Sequence, residues 1–208
     1  MTVYRRTLFA TTALVGALSA ALPLSAAHAA PAPTRAATPA PSAAPALRAA
    51  PVRAVAPGGT GLHWLMRSGQ HTLVVDVVDR TGWDWPVRAA SRDWTTAHVR
   101  YRYVRSCGAG VPCVVVREGS YGPTDWSGST DAFGGQMQTF AGTVQIRLND
   151  TYRMSATEHR AVACHELGHA LGLDHDGRAS SCLESVPQAV HSDGVDRTRL
   201  EALYGHGG

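Results

Sequence analysis

The chain has 208 residues, 44% of them hydrophobic, and a formal charge of +3. That length admits one or two domains, and so small a charge gives no case for nucleic acid or an acidic membrane as a partner. Lysine is absent, so every permanently basic side chain is an arginine.

At the N-terminus Arg5 and Arg6 form a short basic start, and Leu8 to Leu24 is apolar and rich in alanine and leucine. Ala27-His28-Ala29 then fits a small-x-small cleavage site, so residues 1–29 are read as an export signal and the protein is expected to be secreted. Thr11, Thr12, Ser19 and Pro23 interrupt the apolar run, which argues against a membrane anchor, and no membrane contact is expected once the signal is removed. Ala30 to Pro57 is mostly alanine and proline, with seven prolines. Such a stretch has too little bulky apolar surface to pack, so residues 30–58 are expected to be an extended linker or a pro-segment. The folded domain is expected over 59–208.

Thr72 to Val78 (TLVVDVV) is rich in β-branched residues and reads as a buried strand ended by Gly82. Asp84 is placed to cap a helix with Pro86 in its first turn, along which Val87, Ala90 and Trp94 repeat at helical spacing. Trp83, Trp85 and Trp94 are expected in the core. His98 to Val104 alternates like a half-exposed strand, and Cys113 to Val116 reads as a buried one. Gly119 to Gly135 holds five glycines and reads as a loop, followed by two short strands at Gln136–Phe140 and Thr143–Leu148. Ser155-Ala156-Thr157-Glu158 matches a capping box, so a helix is expected to start there and to end at Gly172. His159, on that helix, reads as a surface residue.

The stretch His165 to His175 reads HELGHALGLDH. Residues four apart on a helix lie one above the other, so His165 and His169 can offer two imidazole nitrogens to one ion. Gly172 can take a positive φ, which lets the chain turn back and bring His175 to the same ion. Three histidines leave the fourth position of a catalytic zinc open. Glu166 projects roughly 100° round the helix from His165 and is read as a general base rather than a ligand. A plain amphipathic helix with histidines on its polar face would also carry HExxH, but the added Gly172 and His175 make that coincidence rare. Asp174 and Asp176 flank His175 and could orient imidazoles or be ordinary loop carboxylates.

With His165, Glu166, His169, Gly172 and His175 in this spacing, the chain resembles the metzincin zinc peptidases, and most of all the matrixins. The resemblance implies an α+β, zincin-like catalytic domain: a twisted mixed sheet of about five strands with three helices, one of them carrying HExxH. It implies a zinc cofactor and peptide hydrolysis. It further implies that Gln136–Phe140 is the sheet edge on which a protein or peptide substrate lies as an extended strand. In matrixins the loop corresponding to Gly119–Gly135 carries structural zinc and calcium; here the histidines for that second zinc are missing, while calcium at Asp125 or Asp131 is a candidate. Matrixins place a methionine eight residues after the third histidine, where this chain has Leu183, of similar volume. Ser185 stands where the astacin-like and serralysin-like branches have a tyrosine ligand. No cysteine precedes Cys107, so latency through a pro-segment cysteine is not expected.

Four cysteines in an exported chain suggest two disulfides, and of the three pairings Cys107–Cys113 with Cys164–Cys182 is favoured. Val195 to Tyr204 reads as a last helix capped by Asp193 or Asp196 and stopped by Gly205, and its LEALYG ending resembles that of matrixins. The resulting expectation is a secreted, monomeric zinc endopeptidase with His165, His169 and His175 on the metal and Glu166 as base. Two alternatives remain: a metal-dependent hydrolase of cell-wall amide bonds, and a non-catalytic binding module on the same fold.

Overall fold

The computed structural model describes residues 62–134 and 139–205, so the export signal read over 1–29 and the stretch 30–58 lie outside the described residues. The elements in order are β1 (Leu73–Arg80), α1 (Val87–Arg92), β2 (Val99–Tyr103), β3 (Cys113–Gly119), β4 (Gly128–Asp131), β5 (Val144–Asn149), α2 (Ala156–His169) and α3 (Gly194–Tyr204). The five strands form one sheet in the order β2-β1-β3-β5-β4. The first four of these neighbours pair in parallel, and β4 is antiparallel to β5 at the edge.

Alternation decides which face of the sheet carries the core. Leu73, Val75 and Val77 of β1, Val114 and Val116 of β3, and Val144, Ile146 and Leu148 of β5 point to one side and are buried in a single cluster with Val162, Ala163 and Leu167 of α2. The opposite side holds only a small patch, Val78, Cys113 and Val115, beside Val104 and Cys107. Asp76 lies on that side too, buried under Arg102, whose Nε donates to its carboxylate at 2.7 Å. The structure thus has the mixed five-stranded sheet and three helices expected of the α+β class.

Several elements differ from the sequence reading. Gly128–Asp131, inside the stretch read as loop, is the edge strand. Its residues are too small and polar to show a period of two, and pairing with β5 makes it a strand. Of the expected strand at Gln136–Phe140, residues 136–138 lie outside the described residues, and Thr139 and Phe140 make only isolated bridges, to His63 and Gly134. Asp84 does not cap α1: Pro86 is at the N-cap and no side chain caps the helix. Trp85 and Trp94 are buried as expected, but Trp83 is 93% exposed. His159 is half-buried, its ring centroid 4.3 Å from that of Trp85 and tilted 41° to it.

Both disulfides have the favoured pairing, Cys107–Cys113 and Cys164–Cys182. The second joins α2 to the segment that precedes α3. Replacing Cys164 and Cys182 together with alanine opens a closure spanning 18 residues. That change is expected to cost about 3 kcal/mol of stability, read as a lower urea midpoint of the metal-free protein. An unchanged midpoint would show that the bridge adds nothing to stability.

Candidate metal centre

Helix α2 begins as its sequence suggests. Ser155 Oγ accepts from the Glu158 backbone N–H, and Glu158 Oε2 accepts from the Ser155 backbone N–H at 2.6 Å, which closes the capping box. At its other end regular helix stops at His169 rather than at Gly172. The following turn is closed by Leu173 N–H to Gly168 O and Gly172 N–H to His169 O, the Schellman pattern, with Gly172 at φ 88°. A side chain at Gly172 would be strained by that φ and would also collide with the carbonyl oxygen of Leu62. The turn sends the chain back along the helix, and His175 arrives beside His165 and His169.

The last turns of α2 are fully buried, so their free carbonyls need donors from elsewhere. Tyr101 Oη donates to Leu167 O at 2.6 Å, Trp64 Nε1 to Ala170 O at 2.8 Å and Tyr204 Oη to Leu171 O at 2.7 Å. Trp94 Nε1 adds a bond to Cys164 O at 2.9 Å. Four aromatic side chains from four parts of the chain therefore hold the helix that carries the histidines. Sequence reasoning placed Trp94 in the core but gave none of the four a role as donor; a polar tip on a buried aromatic was the available signal.

The imidazoles are oriented by main-chain carbonyls. His165 Nδ1 lies 2.7 Å from Cys182 O, and His169 Nδ1 lies 2.7 Å from Leu173 O. A carbonyl can only accept, so each Nδ1 carries the proton and each Nε2 presents a bare lone pair. These two Nε2 atoms are 2.8 Å apart, and His175 Nε2 is 3.1 Å from that of His165. Lone pairs converging this closely, with both ring protons committed elsewhere, repel one another unless a cation lies between them. The donor set fits a metal: three neutral imidazoles suit zinc, and the carbonyls fix which nitrogen faces it. Among the described residues no other cluster of metal-binding side chains forms. A cleft of about 450 Å³ opens beside His175, the one exposed histidine of the three, against Arg199 and Leu203 of α3.

Neither Asp174 nor Asp176 hydrogen-bonds an imidazole. Asp176 instead binds Arg178 at 2.6 Å, and Arg178 also reaches Asp193 at 2.8 Å and Asp196 at 3.0 Å. Ser181 Oγ completes the group, donating to Asp196 and accepting from Leu183 N–H. This network ties the segment after His175 to the start of α3, where Asp193 is the N-cap and Asp196 the third residue of a capping box. Leu183 is fully buried, and its side chain lies against Gly168, where a Cβ would come within 2.7 Å of it. Ser185 Oγ lies 3.5 Å from His175 Nδ1. Asp131 pairs with Arg147 at 2.6 Å and Asp125 is exposed, so the structure brings neither into the histidine cluster.

Glu166 is fully buried against the edge strand. Thr130 Oγ1 donates to its Oε2 at 2.6 Å, while Oε1 is buried with no hydrogen-bond partner. Gly128 leaves room for the carboxylate: a Cβ there would come within 2.6 Å of Oε1. Burial pushes the Glu166 carboxyl up to about 8, although the Thr130 hydroxyl pulls the other way. Burial also lowers His169 to about 3 and His165 well below the ordinary value, reinforced by the neighbouring imidazoles.

These shifts set a pH profile for the metal-free protein. As the pH falls from 6.5 towards about 3 the unfolded chain takes up a proton at His169 that the folded chain refuses, and His165 acts the same way, so stability falls with pH. Glu166 has the opposite sign: between 4.5 and about 8 the folded chain keeps a proton that the unfolded chain releases, so its contribution falls as pH rises. Three histidines, with His175 also lowered by burial, outweigh one glutamate below pH 6.5, and between there and about 8 the shift of Glu166 acts against stability. Denaturation midpoints from about pH 5 to about pH 8.5 should therefore peak near neutrality, with the alkaline decline flattened by Glu166→Gln. A midpoint that climbs steadily through this range would contradict the burial of Glu166.

Compared with known proteins, the family model for matrixins matches residues 83–205, more than half of the chain. Among solved structures, metalloproteinase-II from Bacteroides fragilis is similar at 12% identity and a TM-score of 0.40, over 70% of this chain. The chain spans 57% of that protein's length. Among curated proteins, none matches the sequence.

Proposed function

Because the chain belongs to the matrixin family of zinc metallopeptidases, we propose that it is an exported endopeptidase that cleaves protein or peptide substrates bound as an extended strand. The observation that carries this reading is the convergence of His165, His169 and His175, with the protons of the first two committed to Cys182 O and Leu173 O. His165, His169 and His175 would hold the zinc. When bound, zinc would supply Lewis acidity, lowering the pKa of water towards about 7 and polarising a carbonyl.

Glu166 is the general base. Its Oε1 takes the proton of the attacking water and returns it to the leaving amine, so the carboxylate ends the cycle as it began. Burial disfavours the charge on Glu166 in the metal-free protein, and the positive charge of zinc beside it would favour the carboxylate that the first transfer needs. The substrate would add alongside β4, which among the described residues pairs only with β5, so that main-chain hydrogen bonds position the scissile peptide whatever its side chains. Export is supported by the signal-like residues 1–29 and by two disulfides, which persist in oxidising compartments. Among the described residues no helix is long and apolar enough to cross a membrane.

Glu166→Gln keeps volume and a carbonyl but removes the proton acceptor. Peptide hydrolysis should fall by about 10² to 10⁴-fold while zinc stays bound, whereas His169→Ala should lose the metal itself. Casein and peptidoglycan fragments assayed side by side, with and without chelator, decide the substrate class. Chelator-sensitive release from peptidoglycan alone would move the cell-wall amidase reading ahead. Parent-rate cleavage of peptides by zinc-loaded Glu166→Gln would sink the mechanism.

A further inference from the structure

Glu166 meets the edge strand at two places, Gly128 and Thr130. At Gly128 the missing side chain makes the space, because a Cβ there would lie 2.6 Å from Oε1 and 2.7 Å from both Glu166 Cγ and Val162 Cγ1. At Thr130, fully buried two residues along on the same face, the hydroxyl reaches Oε2 at 2.6 Å and the Glu166 backbone carbonyl at 3.1 Å. With Glu166 ionised both of these groups accept and a hydroxyl has one proton, so the shorter contact, to the carboxylate, takes it. Oε2 is thereby engaged, and Oε1 is the buried oxygen left without a partner.

We propose that Thr130 is a positioning residue for Glu166: its hydroxyl pins Oε2 to the edge strand so that Oε1 alone faces the proton to be transferred. The inference rests on Glu166 being the base. It adds that β4 does two things at once, offering one edge to the substrate and holding the base from its inner face. The two reacting partners are then referred to a single strand, which fixes their separation better than independent loops would.

Thr130→Val keeps the shape and removes the hydroxyl, and Thr130→Ser keeps the hydroxyl and removes the methyl. With zinc content equal to the parent, Thr130→Val is expected to lose about ten-fold or more in kcat with KM within about two-fold, and Thr130→Ser to recover most of that loss. Thr130→Ala replaces the valine variant in this comparison if the latter does not fold. Parent kcat in the hydroxyl-free variant, or equal losses in the serine and hydroxyl-free variants, overturns the proposal. Failure of the base reading shows separately, as undiminished hydrolysis by Glu166→Gln. Infrared difference spectra of the metal-free protein on the alkaline side of about 8, where Glu166 is ionised, with its band assigned through Glu166→Gln, read the contact without catalysis. The band should shift when the hydroxyl is removed and stay in place in Thr130→Ser; a band unmoved in the hydroxyl-free variant also overturns the proposal.

Discussion

Burying two histidines and a glutamate on one helix is the constraint on which the rest of this structure depends. His165, Glu166 and His169 are at most 1% exposed, yet each carries polar atoms that lose their water on folding. Left unpaired, each such group would cost on the order of 1–3 kcal/mol. Much of the surrounding chain can be read as the answer to that cost. Cys182 O and Leu173 O take the ring protons, Thr130 takes one carboxylate oxygen, and Trp64, Tyr101 and Tyr204 take the helix-end carbonyls.

The partners arrive from both ends of the described chain, and covalent and ionic ties keep them in place. The Cys164–Cys182 bridge holds the acceptor for His165 against the residue that precedes it. Arg178, gripped by Asp176, Asp193 and Asp196, anchors the segment that follows His175 to α3. There the Arg178 guanidinium holds the Asp193 carboxyl well below the usual carboxylate range, while burial pushes that of Asp196 up. Arg178, with Arg199 at 4.0 Å from Asp176, faces three carboxylates, and the Ser180 and Ser181 hydroxyls and backbone N–H groups share the remaining negative charge. The arrangement is costly to desolvate, and removing one partner would leave another buried charge uncompensated.

Glycine appears at three places around α2 where this packing is close. Gly172 supplies the positive φ and admits the backbone of Leu62; Gly128 admits the Glu166 carboxylate; Gly168 admits Trp94 and Leu183, each within 2.7 Å of where a Cβ would sit. The last contact bears on one departure from matrixin sequences. Leu183 fills the space under the helix where those proteins have methionine, and a branched side chain against a glycine packs there without a ligand role.

The sequence alone determined the helix that carries His165 and His169, its Ser155 capping box, the turn at Gly172 and the return of His175, because these depend on spacings within about twenty residues and on local backbone geometry. It also favoured the pairing Cys164–Cys182 and the buried character of β1 and β3. Tertiary structure decided what spacing cannot express. Gly128–Asp131 is a strand only because β5 pairs with it and α2 backs it, so a stretch without period reads as loop until both neighbours are in place. Thr130 meets Glu166 across 36 residues, and Trp64 meets Ala170 across 106. Trp83 stays in solvent while Trp85, two residues away, is buried with its Nε1 donating to Asp150. In each case the deciding term is a pairing between distant groups, either burial against a partner or one hydrogen bond, and such a term leaves no repeat in the local sequence from which it could be read.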